Sequence, residues 1–309
     1  MNMINFAVYL AVGPSQQEIE RTADLLDSLW TYEPYTPWLV FIDDSTQDRQ
    51  LTKYFRFPDT CKAVSVINPR QGKGIGHTGG LNTATLSALQ WINKHTDTSF
   101  TLKLDTDALV IAPFAEKIAR AFATMPNVGI LGSYKKTCNG DLRDFSDWAK
   151  YFRHLSSPMS IFRVGRKIYF HLGFWGKSAI VRRHINSALK NGYEPGEHCQ
   201  GGAYAVSNKL ISQMAINGYL EDPLLWLYTP VGEDSMMGMY VKATNMQLYG
   251  FVEQDQPFAV KYAGLADTPE NLLSRGYSLI HSIKNDKKLS EKEIRDFYRK
   301  HRSNASKKY

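Results

Sequence analysis

Apolar residues follow two rhythms along the first part of the chain. Short apolar runs stand at residues 6–12 (Phe-Ala-Val-Tyr-Leu-Ala-Val), 37–42, 63–67, 100–104 and 128–131, and each reads as a strand. Between them the apolar residues recur at helical spacing. Ile19, Ala23, Leu25, Leu26 and Leu29 do so within 17–30, Leu81, Thr85, Leu89 and Ile92 within 78–94, and a further helix is expected at 114–124. Strands alternating with helices predict an α/β fold with a mainly parallel, Rossmann-like sheet and helices on both faces. Ligands of such sheets bind beyond the carboxyl ends of the strands. Asp43, Asp44, Asp105 and Asp107 all fall at such ends, so separate pieces of chain bring carboxylates to one rim.

Beyond residue 133 the pattern is less regular. Residues 141–183 are crowded with aromatic and basic side chains, among them Phe145, Trp148, Phe162, Tyr169, Phe170, Phe174 and Trp175. A Gly-rich stretch follows at 200–206, then expected helices at 208–217 and from 233 to about 242. Short strands are expected at 247–252 and 258–262, and a polar helix at 289–301 with Ser290 as N-cap and acids in its first turn. No repeat and no low-complexity linker divides the chain. The expectation is one domain of two parts, 1–133 and a mixed part at 134–285, followed by a basic helix and tail at 286–309.

Composition narrows the class. With 309 residues, 43% of them hydrophobic, the chain can pack a core and is not a disordered one. The net charge of +7 is concentrated at one end, since residues 284–309 hold ten basic side chains against four acids. The rest of the chain is close to neutral, which argues against a nucleic-acid-binding body. The basic end reads either as a solvated tail or as a peripheral contact for anionic lipid head groups, where each Lys or Arg contributes about 1 kcal/mol. Cys61, Cys138 and Cys199 are widely spaced and odd in number, which reads as reduced thiols. No apolar run reaches the ~20 residues needed to span a bilayer, and the apolar start reads as a strand rather than a signal peptide. The expected location is the cytoplasm, with 286–309 free to touch the inner membrane face.

Several motifs carry candidate chemistry. Asp105-Thr106-Asp107 follows an apolar strand, where two carboxylates in a sharp turn suit a hard divalent cation or, equally, a solvated turn. Residues 72–80 contain five glycines in nine positions together with Lys73. Such a loop at a helix start either cradles phosphate or is simply flexible. Glu233-Asp234 opens a helix, where acids favour the helix dipole or supply a general base. His281, in an apolar setting, reads as a packing residue or as an imidazole completing a Mn²⁺ shell, and Lys284 stands three residues on to meet a phosphate. The aromatic stretch reads mainly as core, with Trp148 and Trp175 the best platforms for the apolar face of a sugar.

In this order the motifs resemble a family, the nucleotide-sugar-dependent glycosyltransferases of the GT-A fold, and in particular the β1,3-galactosyltransferase and Fringe group. Leu102-Lys-Leu-Asp-Thr-Asp-Ala-Leu-Val110 is similar to that group's metal-binding strand and turn, Cys199-Gln-Gly-Gly-Ala-Tyr-Ala-Val-Ser207 to its Gly-Gly-Gly-Tyr segment, and Gly232-Glu-Asp-Ser235 to its Glu-Asp-Val element. Ser235 replaces the family's Val. The resemblance implies an inverting, metal-dependent enzyme that moves a sugar from a nucleotide diphosphate donor, a UDP-sugar, to a hydroxyl of a glycan or lipid-linked acceptor. It implies a nucleotide-sugar-binding half at 1–133 and an acceptor-binding and catalytic half at 134–285, Mn²⁺ or Mg²⁺ on Asp105, Asp107 and His281, donor contacts from Asp43, Asp44, Asp105, Gly201 and Gly202, and catalysis by Asp234 with Glu233 beside it. The charges of Lys73 and Lys284 add two further donor contacts. A sugar-phosphate nucleotidyltransferase and a non-catalytic glycan-binding protein are the competing readings. The first is disfavoured because residues 13–17 (Gly-Pro-Ser-Gln-Gln) lack the expected Gly-rich, Arg-containing loop.

Overall fold

The computed structural model describes residues 4–74, 76–157 and 176–305. A seven-stranded sheet forms its centre. Four strands lie side by side and parallel: β3 (Lys62–Ile67), β2 (Trp38–Asp43), β1 (Phe6–Val12) and β4 (Phe100–Leu104). β7 (Ala203–Ser207) continues the sheet antiparallel to β4, β6 (Val128–Gly132) lies antiparallel to β7, and β8 (Gln247–Gly250) closes the edge parallel to β6. The expected α/β class and mainly parallel sheet are therefore present. β7 is the departure: the Gly-rich stretch, for which no element is expected, continues into a fully buried antiparallel strand between two strands of the first part.

β1 shows why the strand sequences are almost continuously apolar. Phe6, Val8, Leu10 and Val12 join one hydrophobic cluster, whereas Ala7 and Tyr9 join the other, so both faces are covered. The first cluster takes up α1 (Gln16–Tyr32), α3 (Ala115–Thr124) and part of a small second sheet. That sheet consists of β5 (Leu109–Val110), β10 (Leu279–His281) and β9 (Phe258–Val260). The second cluster takes up α2 (Gly76–His95), α4 (Ser146–Ser156), α5 (Ser178–Lys190), α6 (Asn208–Ile216) and α7 (Glu233–Ala243). A short α8 (Pro269–Ser274) and a long α9 (Glu291–Ala305) complete the set. Both sheets mix strands from before and after residue 133.

α9 starts where the sequence placed it. Ser290 Oγ accepts from Glu293 N, and the Glu293 carboxylate accepts from Ser290 N, a reciprocal cap. Its surroundings differ from those of a solvated tail. Ile294 and Tyr298 enter the core, and Arg295 and Arg302 are buried with Nη···Oδ distances of 2.5 Å to Asp24 of α1. Among the described residues no helix is long and apolar enough to cross a membrane.

Candidate functional site: a cation cluster at the carboxyl rim

β4 runs buried from Phe100 to Leu104 and turns at its carboxyl end through Asp105 and Thr106 to Asp107. β10, paired to β5 just beyond that turn, carries His281 back over it. One ligand atom from each of Asp105, Asp107 and His281 lies within 4.8 Å of the others. His281 Nε2 stands 3.3 Å from Asp107 Oδ1 and 3.5 Å from Asp105 Oδ2. Its other nitrogen, Nδ1, is 3.0 Å from the Lys261 carbonyl, so Nδ1–H donates there and Nε2 faces the two carboxylates. Asp107 Oδ2 accepts from Ser282 Oγ at 2.7 Å, but Oδ1 is buried and has no hydrogen-bond partner. A buried carboxylate oxygen that makes no hydrogen bond and faces an imidazole nitrogen, with a second carboxylate beside it, fits a divalent cation.

The charges around this point are tightly balanced. Burial works against ionisation of Asp107, yet the His281 imidazole, with Lys284 and Ser282, holds its carboxyl far below the usual range. Burial likewise works to lower His281, and Asp107 and Asp105 outweigh it, so the imidazole holds a proton above its ordinary pKa when no metal competes. Lys284 Nζ lies 3.3 Å from Asp107 Oδ1 at the site's open side. Beside the cluster is a cavity of about 260 Å³ lined by Glu18, Asp44, Gly80, Asp105, Asp107 and Lys284, among others.

A buried lysine links the cation cluster to the start of α7. Lys103 is 1% exposed, donates to Asp105 Oδ1 at 2.6 Å and to the Gly201 carbonyl, and lies 3.6 Å from Glu233 Oε2. Desolvation opposes its charge, but Asp105 and Glu233 keep it protonated. Glu233 is buried, accepts from Tyr204 Oη, and its carboxyl is pushed up by burial, against Lys103, to about 7. Tyr204 Oη in turn lies 3.2 Å from Tyr9 Oη.

Asp234 is one residue on and points differently. Its Oδ1 accepts from Ser235 N at 2.8 Å, and its Oδ2 lies 3.3 Å from Nε2 of the buried His198. Burial lowers the His198 pKa, with Asp234 opposing. Arg143 Nη2 donates to His198 Nε2 at 2.7 Å, while His198 Nδ1 is 2.7 Å from the Gly196 carbonyl. Phe145 and Trp148 pack edge-on against the same imidazole at centroid distances of 5.2 Å. The two glycines before β7 fit between these groups. A methyl on Gly201 would stand 3.1 Å from Asp234 Oδ2, and one on Gly202 would fall 2.0 Å from His281 Nδ1. The His281 ring can occupy its seat only over a residue without a side chain.

The structure thus brings together Asp105, Asp107, His281 and Lys284, with Asp44 lining the same cavity. It sets Gly201 and Gly202 against Asp234 and His281 and connects Glu233 to the cluster through Lys103, but keeps Gly201, Gly202, Glu233 and Asp234 out of the cavity lining. It turns Asp43 away: the carboxylate is fully buried and taken up by Arg49 and by Ser45 N. Asp44 is held by Arg70 through Nε at 2.6 Å and by Asn68 Nδ2 at 2.9 Å. Lys73 is exposed on its loop and does not line the cavity. Trp148 lies on the Asp234 side, whereas Trp175 and its neighbours Phe162, Tyr169, Phe170 and Phe174 lie outside the described residues. Sequence reasoning missed Lys103, His198, Arg143, Arg70 and Glu18. Only Lys103 left a clear signal, a lone cation inside the apolar run of β4.

Fold and site together define a class, an α/β protein with an Asp–Asp–His group, of a geometry that suits a cation, at the carboxyl rim of its central sheet. No family model matches the chain, and no curated protein matches it in sequence. Among solved structures the chain is similar to mouse xyloside xylosyltransferase 1 in its apo form, at a TM-score of 0.44 and 11% identity. That match covers 80% of this chain and 85% of the other, and it is too remote to assign a function.

Proposed function

We propose that the protein is a GT-A-type glycosyltransferase that uses a divalent cation and transfers a sugar, with inversion, from a nucleotide diphosphate sugar to a hydroxyl. The observation that carries this reading is the convergence of Asp105, Asp107 and His281 within 4.8 Å around a buried Asp107 Oδ1 that makes no hydrogen bond. Mn²⁺ or Mg²⁺ held by these three residues supplies Lewis-acid stabilisation of charge on a leaving diphosphate. Lys284, at the mouth of the cavity, adds a cation for phosphate oxygens. Asp44, locked in orientation by Arg70, faces the nucleoside end, and residues 1–133 form the donor half in this reading.

On the opposite side, Asp234 Oδ2 takes the proton of the acceptor hydroxyl as its oxygen bonds to the anomeric carbon and the bond to the diphosphate oxygen breaks. Ser235 N holds that carboxylate at Oδ1, and Trp148, packed against His198, offers an apolar face for the acceptor sugar. Glu233 has another task. Buried, bonded to Tyr204 and close to Lys103, it ties the start of α7 to β7 and β4. The competing nucleotidyltransferase reading differs in its product. Incubation with a panel of nucleotide sugars and Mn²⁺ is expected to release nucleoside diphosphate and no pyrophosphate. Release of pyrophosphate from a nucleoside triphosphate and a sugar phosphate would overturn the proposal.

A further inference from the structure

Every side chain of β4 is buried, and Lys103 is the one among them that carries a charge. A strand turns alternate residues to one face, so Lys103 shares a face with Asp105 just beyond the strand end. Pairing sets Lys103 opposite Tyr9 of β1 and Tyr204 of β7, and its Nζ stands 5.8 Å from the centre of the Tyr204 ring. A buried ammonium is tolerated only where partners replace water. Three acceptors stand around this one. The Gly201 carbonyl and Asp105 Oδ1 each accept a hydrogen bond, the latter at 2.6 Å, and Glu233 Oε2 lies 3.6 Å away.

Asp105 depends on this ammonium for its orientation. The carboxylate is a quarter exposed at the cavity, and among the described residues no other hydrogen bond holds its side chain. With Oδ1 taken, Oδ2 is the oxygen left to face the cluster, 3.5 Å from His281 Nε2. Lys103 is itself fixed by Gly201 and Glu233, which do not belong to the cluster, so the aim of Asp105 is set from outside it. Charge and position pull in opposite directions here. By Coulomb's law a positive charge 2.6 Å from a ligand oxygen weakens the hold on a divalent cation, and its removal tightens it. Loss of orientation weakens it, as loss of outer partners does at metal sites, by about ten- to a hundredfold. The sign of the change separates the two roles.

We propose that Lys103 is a positioning residue of the Asp105–Asp107–His281 cluster, holding Asp105 Oδ1 so that Oδ2 meets the cation. The inference rests on the reading of that cluster as a divalent-cation site and needs no sugar transfer. The test is titration of the full chain with Mn²⁺, the free ion followed by electron paramagnetic resonance, for wild type, Lys103→Met, Asp105→Ala and the double variant. Lys103→Met is expected to weaken Mn²⁺ binding about ten- to a hundredfold in the wild-type background. It is expected not to weaken binding in the Asp105→Ala background, where no carboxylate is left to aim. Should Lys103→Met lose its thermal transition, Lys103→Met/Glu233→Gln is compared with Glu233→Gln in both backgrounds, since ammonium and buried acid are then removed together, and the same pattern is expected. Equal weakening in the two backgrounds marks a general structural loss and overturns the inference, as does unchanged or tighter binding on loss of Lys103. A wild type that binds no Mn²⁺ overturns the cation reading itself, and this inference with it.

Discussion

Asp107 concentrates the chemistry at the scale of single residues. One of its oxygens is anchored by Ser282, and the other is buried without a hydrogen-bond partner, opposite His281 and Lys284. Asp107→Asn keeps the shape and removes the charge. Mn²⁺ affinity measured by titration is expected to fall by about a hundredfold or more, because a neutral amide is a poor ligand for a hard cation. Wild-type affinity would exclude Asp107 from the cluster. Gly202→Ala tests the seat of the imidazole. Its methyl would overlap the His281 ring, so the ring must move, at a cost of about 1–3 kcal/mol in stability. Mn²⁺ affinity is expected to drop with it, and a variant equal to wild type in both would contradict the packing. The three cluster residues were legible because each stood at a strand end or in an apolar run where a polar group is conspicuous. Asp43 and Asp44 were indistinguishable by sequence. Which one faces the cavity depends on Arg49 and Arg70, which arrive from loops whose paths no local pattern encodes.

At the scale of elements, α9 is the instructive one. Its existence was plain from its cap and spacing, but its docking was not, since Arg295, Arg299 and Arg302 read as solvated charge. All three converge on Asp24, which lies buried on α1. Burial works to raise the Asp24 carboxyl, and Arg295 with the other two arginines holds it below its ordinary value. Asp24→Ala leaves two buried guanidinium groups without that carboxylate and is expected to cost about 3–5 kcal/mol in chemical denaturation. A loss under about 1 kcal/mol would mean that the arginines are solvated after all. Removal of 291–309 is expected to destabilise the whole protein, because Ile294 and Tyr298 belong to the core. β7 escaped the sequence reading for a related reason. Its antiparallel place between β4 and β6 comes from long-range pairing, which no local pattern encodes.

Across the molecule, Lys103, Glu233 and Tyr204 join the Asp105 cluster to the start of α7, and this link predicts a pH dependence. The Glu233 carboxyl rises from an ordinary 4.5 to about 7 in the folded protein. A raised acid binds its proton more tightly when folded, so its contribution to stability is complete below pH 4.5 and is lost as pH rises through 7. The change is about 3 kcal/mol at one pKa unit per 1.4 kcal/mol. Glu233→Gln keeps an acceptor for Tyr204 and is expected to flatten the slope of unfolding free energy between pH 5 and 8. An unchanged slope would place the titration elsewhere. The fold class was readable because apolar periodicity is a local signal repeated along the first part of the chain. The link was not, since it depends on four segments meeting beneath the rim. The account turns on one measurement, nucleoside diphosphate release from a panel of nucleotide sugars by wild type and Asp107→Asn, with Mn²⁺ and with EDTA. Release by wild type from at least one donor, abolished by EDTA and by the substitution, is the predicted result. Release that is indifferent to both, or no release from any donor with Mn²⁺ present, would contradict it.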